Sequence, residues 1–172
     1  MKLCCFRKIQ SEGKSGKIKP KQRIKIEFLP KKFLTQIGKW LKNPDSFEFV
    51  LQNEVLYAVP KSISKDYKFL VNWLKIKQYG IEMGRFAGKK LIPTHHLAMS
   101  HLLSEKIPKI ELSYPQAINY LRKQEVEVET NVTGWAIATY QNHSLGWMKV
   151  LPNRINNYYP IELRLRKEFE VE

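Results

Sequence analysis

Residues 134–151 constrain the fold more than any other stretch. Gly134-Trp135-Ala136-Ile137-Ala138-Thr139-Tyr140 and Leu145-Gly146-Trp147-Met148-Lys149-Val150-Leu151 are two apolar, aromatic-bearing runs of strand length. Polar Gln141-Asn142-His143-Ser144 lies between them, so the segment reads as a β-hairpin. An isolated hairpin is barely stable in water, so other strands or a helix must cover this one. Trp135 and Trp147 are expected in that core.

Its partners can be read along the chain. Arg23–Phe28 alternates with the period of a half-buried strand, and Phe47–Leu51 and Val55–Val59 form a strand pair around Gln52-Asn53-Glu54. Helices are expected over Phe33–Leu41, Asp66–Leu74, His95–Ser104 behind a Thr94 cap, and Pro115–Lys123 behind a Ser113 cap. Ala117, Ile118 and Leu121 form the apolar stripe of the last of these. Ile76–Phe86 reads as extended, with Ala87–Lys90 as a turn and Leu91–Pro93 returning. Asn153–Tyr159 reads as irregular, because the Asn156 and Asn157 amides compete for local backbone groups. Glu162–Arg166 alternates as a last strand. The fold class is α+β, with two small lobes meeting near residue 112.

Charge is distributed unevenly. Residues 1–42 carry 13 basic and 2 acidic side chains, against 17 and 14 in the remainder, in a chain of formal net charge +14. Gln10–Gln22 is rich in Lys, Ser and Gly with almost no apolar residue, so it cannot offset its ordering entropy. Residues 1–22 are therefore expected to form a basic flexible arm that attracts polyanions by counterion release. No apolar run approaches the ~20 residues of a membrane helix, and no membrane association is expected. The four apolar residues near the start are too few for a secretory signal. Cys4 and Cys5 read as reduced thiols of a cytoplasmic protein.

Signatures of catalysis are weak. Gly13-Lys14-Ser15 is similar to the end of a phosphate-binding loop, but position 8 holds Lys8 in place of the first glycine. His95, His96 and His101 lie five and six residues apart, which does not aim two imidazoles at one metal. No metal site, catalytic residue or cofactor is expected. The C-terminal stretch is more informative. Tyr158 and Tyr159 stand among Lys149, Arg154, Asn156, Asn157, Arg164 and Arg166. Aromatic faces stack bases, Lys and Arg hold phosphates, and amides reach base edges, so this segment is the expected RNA-binding surface. Adjacent tyrosines on an extended chain face opposite ways, which predicts one in the core and one exposed. Arg85, Lys89 and Lys90 form a second candidate RNA surface.

The residues from Gly134 to Val150, with Asn153-Arg154-Ile155-Asn156-Asn157-Tyr158-Tyr159-Pro160-Ile161-Glu162-Leu163-Arg164, also carry a family resemblance. So do Gly84–Ala98, which contains Gly84-Arg85-Phe86-Ala87-Gly88-Lys89-Lys90, and Ser113-Tyr114-Pro115-Gln116-Ala117-Ile118-Asn119-Tyr120-Leu121-Arg122. Together they resemble the C-terminal end of the RsmF/YebU-type ribosomal RNA 5-methylcytosine methyltransferases, of the Sun/nucleolar-protein class. The likeness spans roughly residues 40–166. It implies a small α/β pre-PUA-like lobe over 23–112 and a PUA-like β-barrel over 113–172, with ribosomal RNA as the partner. Family enzymes carry an upstream Rossmann-like domain with an S-adenosylmethionine site and two catalytic cysteines, one following a proline. Neither Cys4 nor Cys5 follows a proline, and only about 40 residues precede the likeness. The resemblance thus implies RNA targeting without catalysis by this chain. The alternative is an RNA-binding subunit that docks on a separate methyltransferase chain.

Overall fold

The computed structural model describes residues 27–28, 37–70, 80–88 and 90–167. The expected basic arm, residues 33–36 of the first expected helix, and Lys89 lie outside the described residues, and the described end of that helix is a 3-10 turn over Gly38–Trp40. Two sheets organise the rest. The first is an antiparallel meander in chain order: β1 (Glu27–Phe28), β2 (Phe47–Gln52), β3 (Val55–Pro60), β4 (Ile81–Ala87) and β5 (Lys90–Pro93). The second comprises β6 (Lys109–Glu111), β7 (Gly134–Tyr140), β8 (His143–Leu151) and β9 (Arg154–Asn157). Among the described residues three short α-helices accompany them: α1 (Ser64–Leu70), α2 (His95–Ala98) and α3 (Tyr114–Leu121).

Turn chemistry sets both tight hairpins. Asn53-Glu54 joins β2 to β3 and Gln141-Asn142 joins β7 to β8, with all four residues at positive φ (48°, 65°, 49° and 63°). Two successive left-handed residues match the right-handed twist of the flanking strands. The second hairpin is therefore tighter than its sequence suggests, and His143 already pairs with Tyr140.

β6 runs parallel to β7, so the chain must cross over between them, and α3 makes that crossover. The second sheet therefore begins at Lys109, ahead of the helix. At the start of α3, Gln116 Oε1 accepts from the Ser113 backbone N–H (2.9 Å) and hydroxyl (3.0 Å). The amide of Gln116 donates to Glu127 O (2.8 Å), tying the helix start to the chain that returns towards β7.

The two lobes share one core. Phe49, Leu56, Ala58 and Met83 of the first sheet pack with Ile137 and Trp147 of the second, together with Leu97 of α2. The opposite face of the second sheet, with Ala136, Ala138, Met148 and Val150, packs on Ala117 and Tyr120 of α3. Period-two alternation sends Ile137 and Trp147 one way and Ala136 and Met148 the other. The second sheet is thus covered on both sides, which is why its hairpin is nearly all apolar.

Three expected elements differ. Helix His95–Ser104 stops at Ala98. Beyond it, Lys42 N–H donates to Leu102 O (2.9 Å) and Ser104 N–H to Trp40 O (2.8 Å), so pairing with residues 40–42 replaces helical bonding. Thr94 occupies the cap position, but its hydroxyl donates to Glu82 O (2.6 Å) instead. Glu162–Arg166 is no strand. Pro160 starts a single 3-10 turn over Ile161–Leu163, and Leu165 N–H donates to Leu121 O of α3 (3.0 Å). Arg154–Asn157, read as irregular, is β9: the Asn157 side-chain N–H donates to Tyr120 O of α3, while its Oδ1 accepts from Tyr159 N–H just beyond the strand. Nor is the expected β-barrel closed among the described residues. β6 and β9 are the two edges of an open four-stranded sheet. The mixed α and β composition is as expected.

One half-buried histidine couples this packing to pH. The His95 ring stands edge-on to Tyr159 (5.3 Å), and its Nδ1 is buried without a hydrogen-bond partner. Burial, and to a lesser degree neighbouring His96, hold its pKa below the ordinary 6.5. The folded state favours the neutral ring, while the unfolded chain takes up a proton as pH falls through 6.5. The stability it contributes is therefore complete above about pH 6.5 and lost as pH drops towards the lower folded value. We expect the wild-type melting temperature to fall between pH 7.5 and pH 5, and His95→Gln to flatten that slope. Identical slopes for the two proteins, followed by circular dichroism, would refute this.

Candidate nucleic-acid interface

The face of the second sheet that meets the first does not end in core. Outward along it, Trp135 of β7 stands opposite Lys149 of β8, and Lys149 stands opposite Asn156 of β9. Cross-strand partners project to the same side, so these three share the face that carries Ile137 and Trp147. Tyr158 follows two residues after Asn156. Its backbone N–H donates to Trp147 O (3.0 Å), and its ring packs edge-on against Trp135 at 4.6 Å.

Here the two sheets diverge and leave a cleft of about 470 Å³. One wall is Trp135, Lys149 and Tyr158 from the second sheet. The other is Phe86 of β4 and Lys90 and Leu91 of β5, with Trp40 at the base. Trp40 lies 5.8 Å from Trp147 and Trp135 lies 6.0 Å from it, so the aromatic floor continues into the core. Lys149 Nζ sits 5.4 Å above the Trp135 ring. That arrangement holds a cation against an aromatic face while leaving its remaining donors for an anion. No carboxylate lines this cleft among the described residues.

The expected RNA-binding residues thus separate into groups. Lys90, Lys149 and Tyr158, from both candidate surfaces, meet in the cleft. Asn156 is half-buried on the same face. Arg85 is exposed on β4 and is not among the residues that line the cleft. Arg154 is exposed at the start of β9, in a separate groove beside Glu127 and Glu129. Arg164 and Arg166 line a third groove, with Arg122 and Lys123 from the end of α3. Burial lowers the Lys123 pKa, an effect partly opposed by Glu162, and the Lys123 ammonium donates to Asn157 O. Asn157 is committed to the protein: its amide donates to Tyr120 O (2.8 Å) and Gln124 O (3.3 Å), and its Oδ1 accepts from Tyr159 N–H (2.9 Å).

Tyr158 and Tyr159 do face opposite ways, but neither is fully exposed. Tyr158 packs on the shared core and Tyr159 on the α3 side. Of the two tryptophans expected in the core, Trp147 is fully buried, and Trp135 is half-buried as a cleft wall. The sequence reading passed over Trp40 and Phe86 as site residues, and Arg122 and Lys123 as neighbours of Arg164. Trp135 opposite Lys149 was available from the hairpin register. Trp40, nearly a hundred residues away, had no local signal.

Residues 107–165 match the family model described as the methyltransferase RsmF PUA domain. The match supports a C-terminal PUA-like region of an RsmF-type methyltransferase, and that domain family suggests RNA binding. No curated protein matches the chain.

Proposed function

We propose that this chain, whose residues 107–165 match the RsmF PUA domain model, is a non-catalytic module that binds structured ribosomal RNA. The observation that carries the reading is the cleft, where Lys90 and Lys149 approach an aromatic wall of Trp135 and Tyr158. Lysines there meet phosphates as point charges, and the rings offer faces and edges to bases.

Equilibrium binding to a structured ribosomal RNA fragment, measured across a salt series, tests it. The Lys90→Ala, Lys149→Ala double variant should bind about tenfold more weakly. Its slope of log affinity against log salt should be shallower by about 1 to 2, as for the loss of two phosphate contacts. An unchanged affinity and slope would place the RNA elsewhere. Incubating the chain with RNA and S-adenosylmethionine should form no 5-methylcytosine; any product would assign catalysis to it.

A further inference from the structure

We propose that the inter-sheet cleft is a slot for one unpaired nucleotide, with its base against the Trp135–Tyr158 wall and its flanking phosphates on Lys90 and Lys149. This deepens the RNA-binding reading and rests on it. Three features narrow the occupant. First, the cleft's volume of about 470 Å³ lies in the range of sites that enclose a small molecule, whereas a duplex is read on its outside. Second, the wall is aromatic on the second-sheet side and aliphatic and aromatic on the other, through Leu91 and Phe86. A flat heterocycle is the natural filling for such a gap, and only an unstacked base can enter it. Third, both charged side chains at the cleft are lysines and no described carboxylate lines it, so the ligand is anionic as well as flat.

Geometry also separates positions with different roles. Lys149 is held over Trp135 at 5.4 Å, so cation and ring act on one ligand from one side. Lys90 is exposed at the start of β5 and lines the cleft from the first-sheet side at the β4–β5 hairpin end, where it pairs with Ala87. A nucleotide inserted between them would meet positive charge on both flanks of its sugar, as the phosphates 5′ and 3′ to a single extruded base require.

The test compares two RNA hairpins that differ by one unpaired nucleotide in the stem, together with free nucleoside monophosphate. The wild-type chain should bind the bulged hairpin roughly tenfold more tightly than the paired one. Trp135→Ala and Tyr158→Leu should bring that ratio close to one while the paired hairpin still binds, and circular dichroism should show both variants folded. Should Trp135→Ala fail to fold, Tyr158→Leu alone decides. Equal wild-type binding of the two hairpins would overturn the slot while leaving RNA binding intact. Binding of neither would overturn both. A free mononucleotide that matches the bulged RNA in affinity would overturn the RNA source in favour of a small-molecule site.

Discussion

Gly146→Ala is expected to lower the melting temperature by about 10–15 °C. Gly146 sits inside β8 opposite Ala138, next to a register shift, with φ at +153°. A Cβ there would lie 2.6 Å from the Tyr120 hydroxyl oxygen and 3.2 Å from His95 Nδ1. Tyr120 cannot easily retreat. It is fully buried, its hydroxyl donates to Trp147 O (2.8 Å), and its ring packs edge-on to Tyr159 at 5.6 Å. Overpacking costs about 1–3 kcal/mol, and a strained backbone adds a similar amount. A combined loss of about 4 kcal/mol is a large part of the ~5–15 kcal/mol that holds a domain together. At about 2–4 °C per kcal/mol for a chain of this size, the shift follows. Adding Tyr120→Phe should recover some of the loss, because it removes the atom the new methyl meets. A melting temperature for Gly146→Ala within 2 °C of wild type would show that the strand shifts freely.

Asn157→Ala should lower the melting temperature by about 5–10 °C without weakening RNA binding of the folded protein. The substitution removes three hydrogen bonds: the amide to Tyr120 O and Gln124 O, and Tyr159 N–H to Oδ1. Tyr120 O and Gln124 O lie where α3 ends, with Lys123 in the left-handed conformation (φ 65°). Carbonyls at a helix end need outside donors, and Asn157 brings one from β9. Tyr120 O keeps the Lys123 N–H (3.0 Å), so the loss falls mainly on Gln124 O and Tyr159 N–H; unpaired buried groups cost about 1–3 kcal/mol each, reduced here because the site is only part-buried. Arg154→Ala, in contrast, should shift the melting temperature by less than about 1 °C, since Arg154 is exposed. Melting curves and binding isotherms on both variants decide the matter. A fall in RNA affinity for folded Asn157→Ala, with an unchanged melting temperature, would return this residue to the RNA surface.

Local chemistry made much of the fold readable. The β2–β3 and β7–β8 hairpins announce themselves by apolar runs around Asn53-Glu54 and Gln141-Asn142. Ser113 and Gln116 mark the start of α3 three residues apart, as a capping pair does. The elements that misled share one property, which is that their backbone groups bond distant partners. Leu102 and Ser104 leave the expected helix to pair with Lys42 and Trp40, and Leu165 bonds Leu121. The Asn157 side-chain N–H donates to Tyr120 O of α3, thirty-seven residues earlier. No window of neighbouring residues contains those partners.

The candidate site divides the same way. Residue type marked Lys149, Tyr158 and Lys90 as chemistry suited to RNA, and the alternation of an extended chain predicted that Tyr158 and Tyr159 would part. What the amino-acid order settled alone is the β2–β3 and β7–β8 strand pairs and which of their side chains share a strand face, because each depends on dihedral preferences and period-two geometry within a few residues. The docking of the first sheet onto the second was decided only in three dimensions. Burial of Trp147 against Leu56, Met83 and Leu97 draws the sheets together, and hydrophobic association is non-directional, carrying no address in the sequence. That docking brings Phe86, Lys90 and Trp40 to Trp135 and Lys149, and so makes a cleft from residues that are unremarkable one at a time.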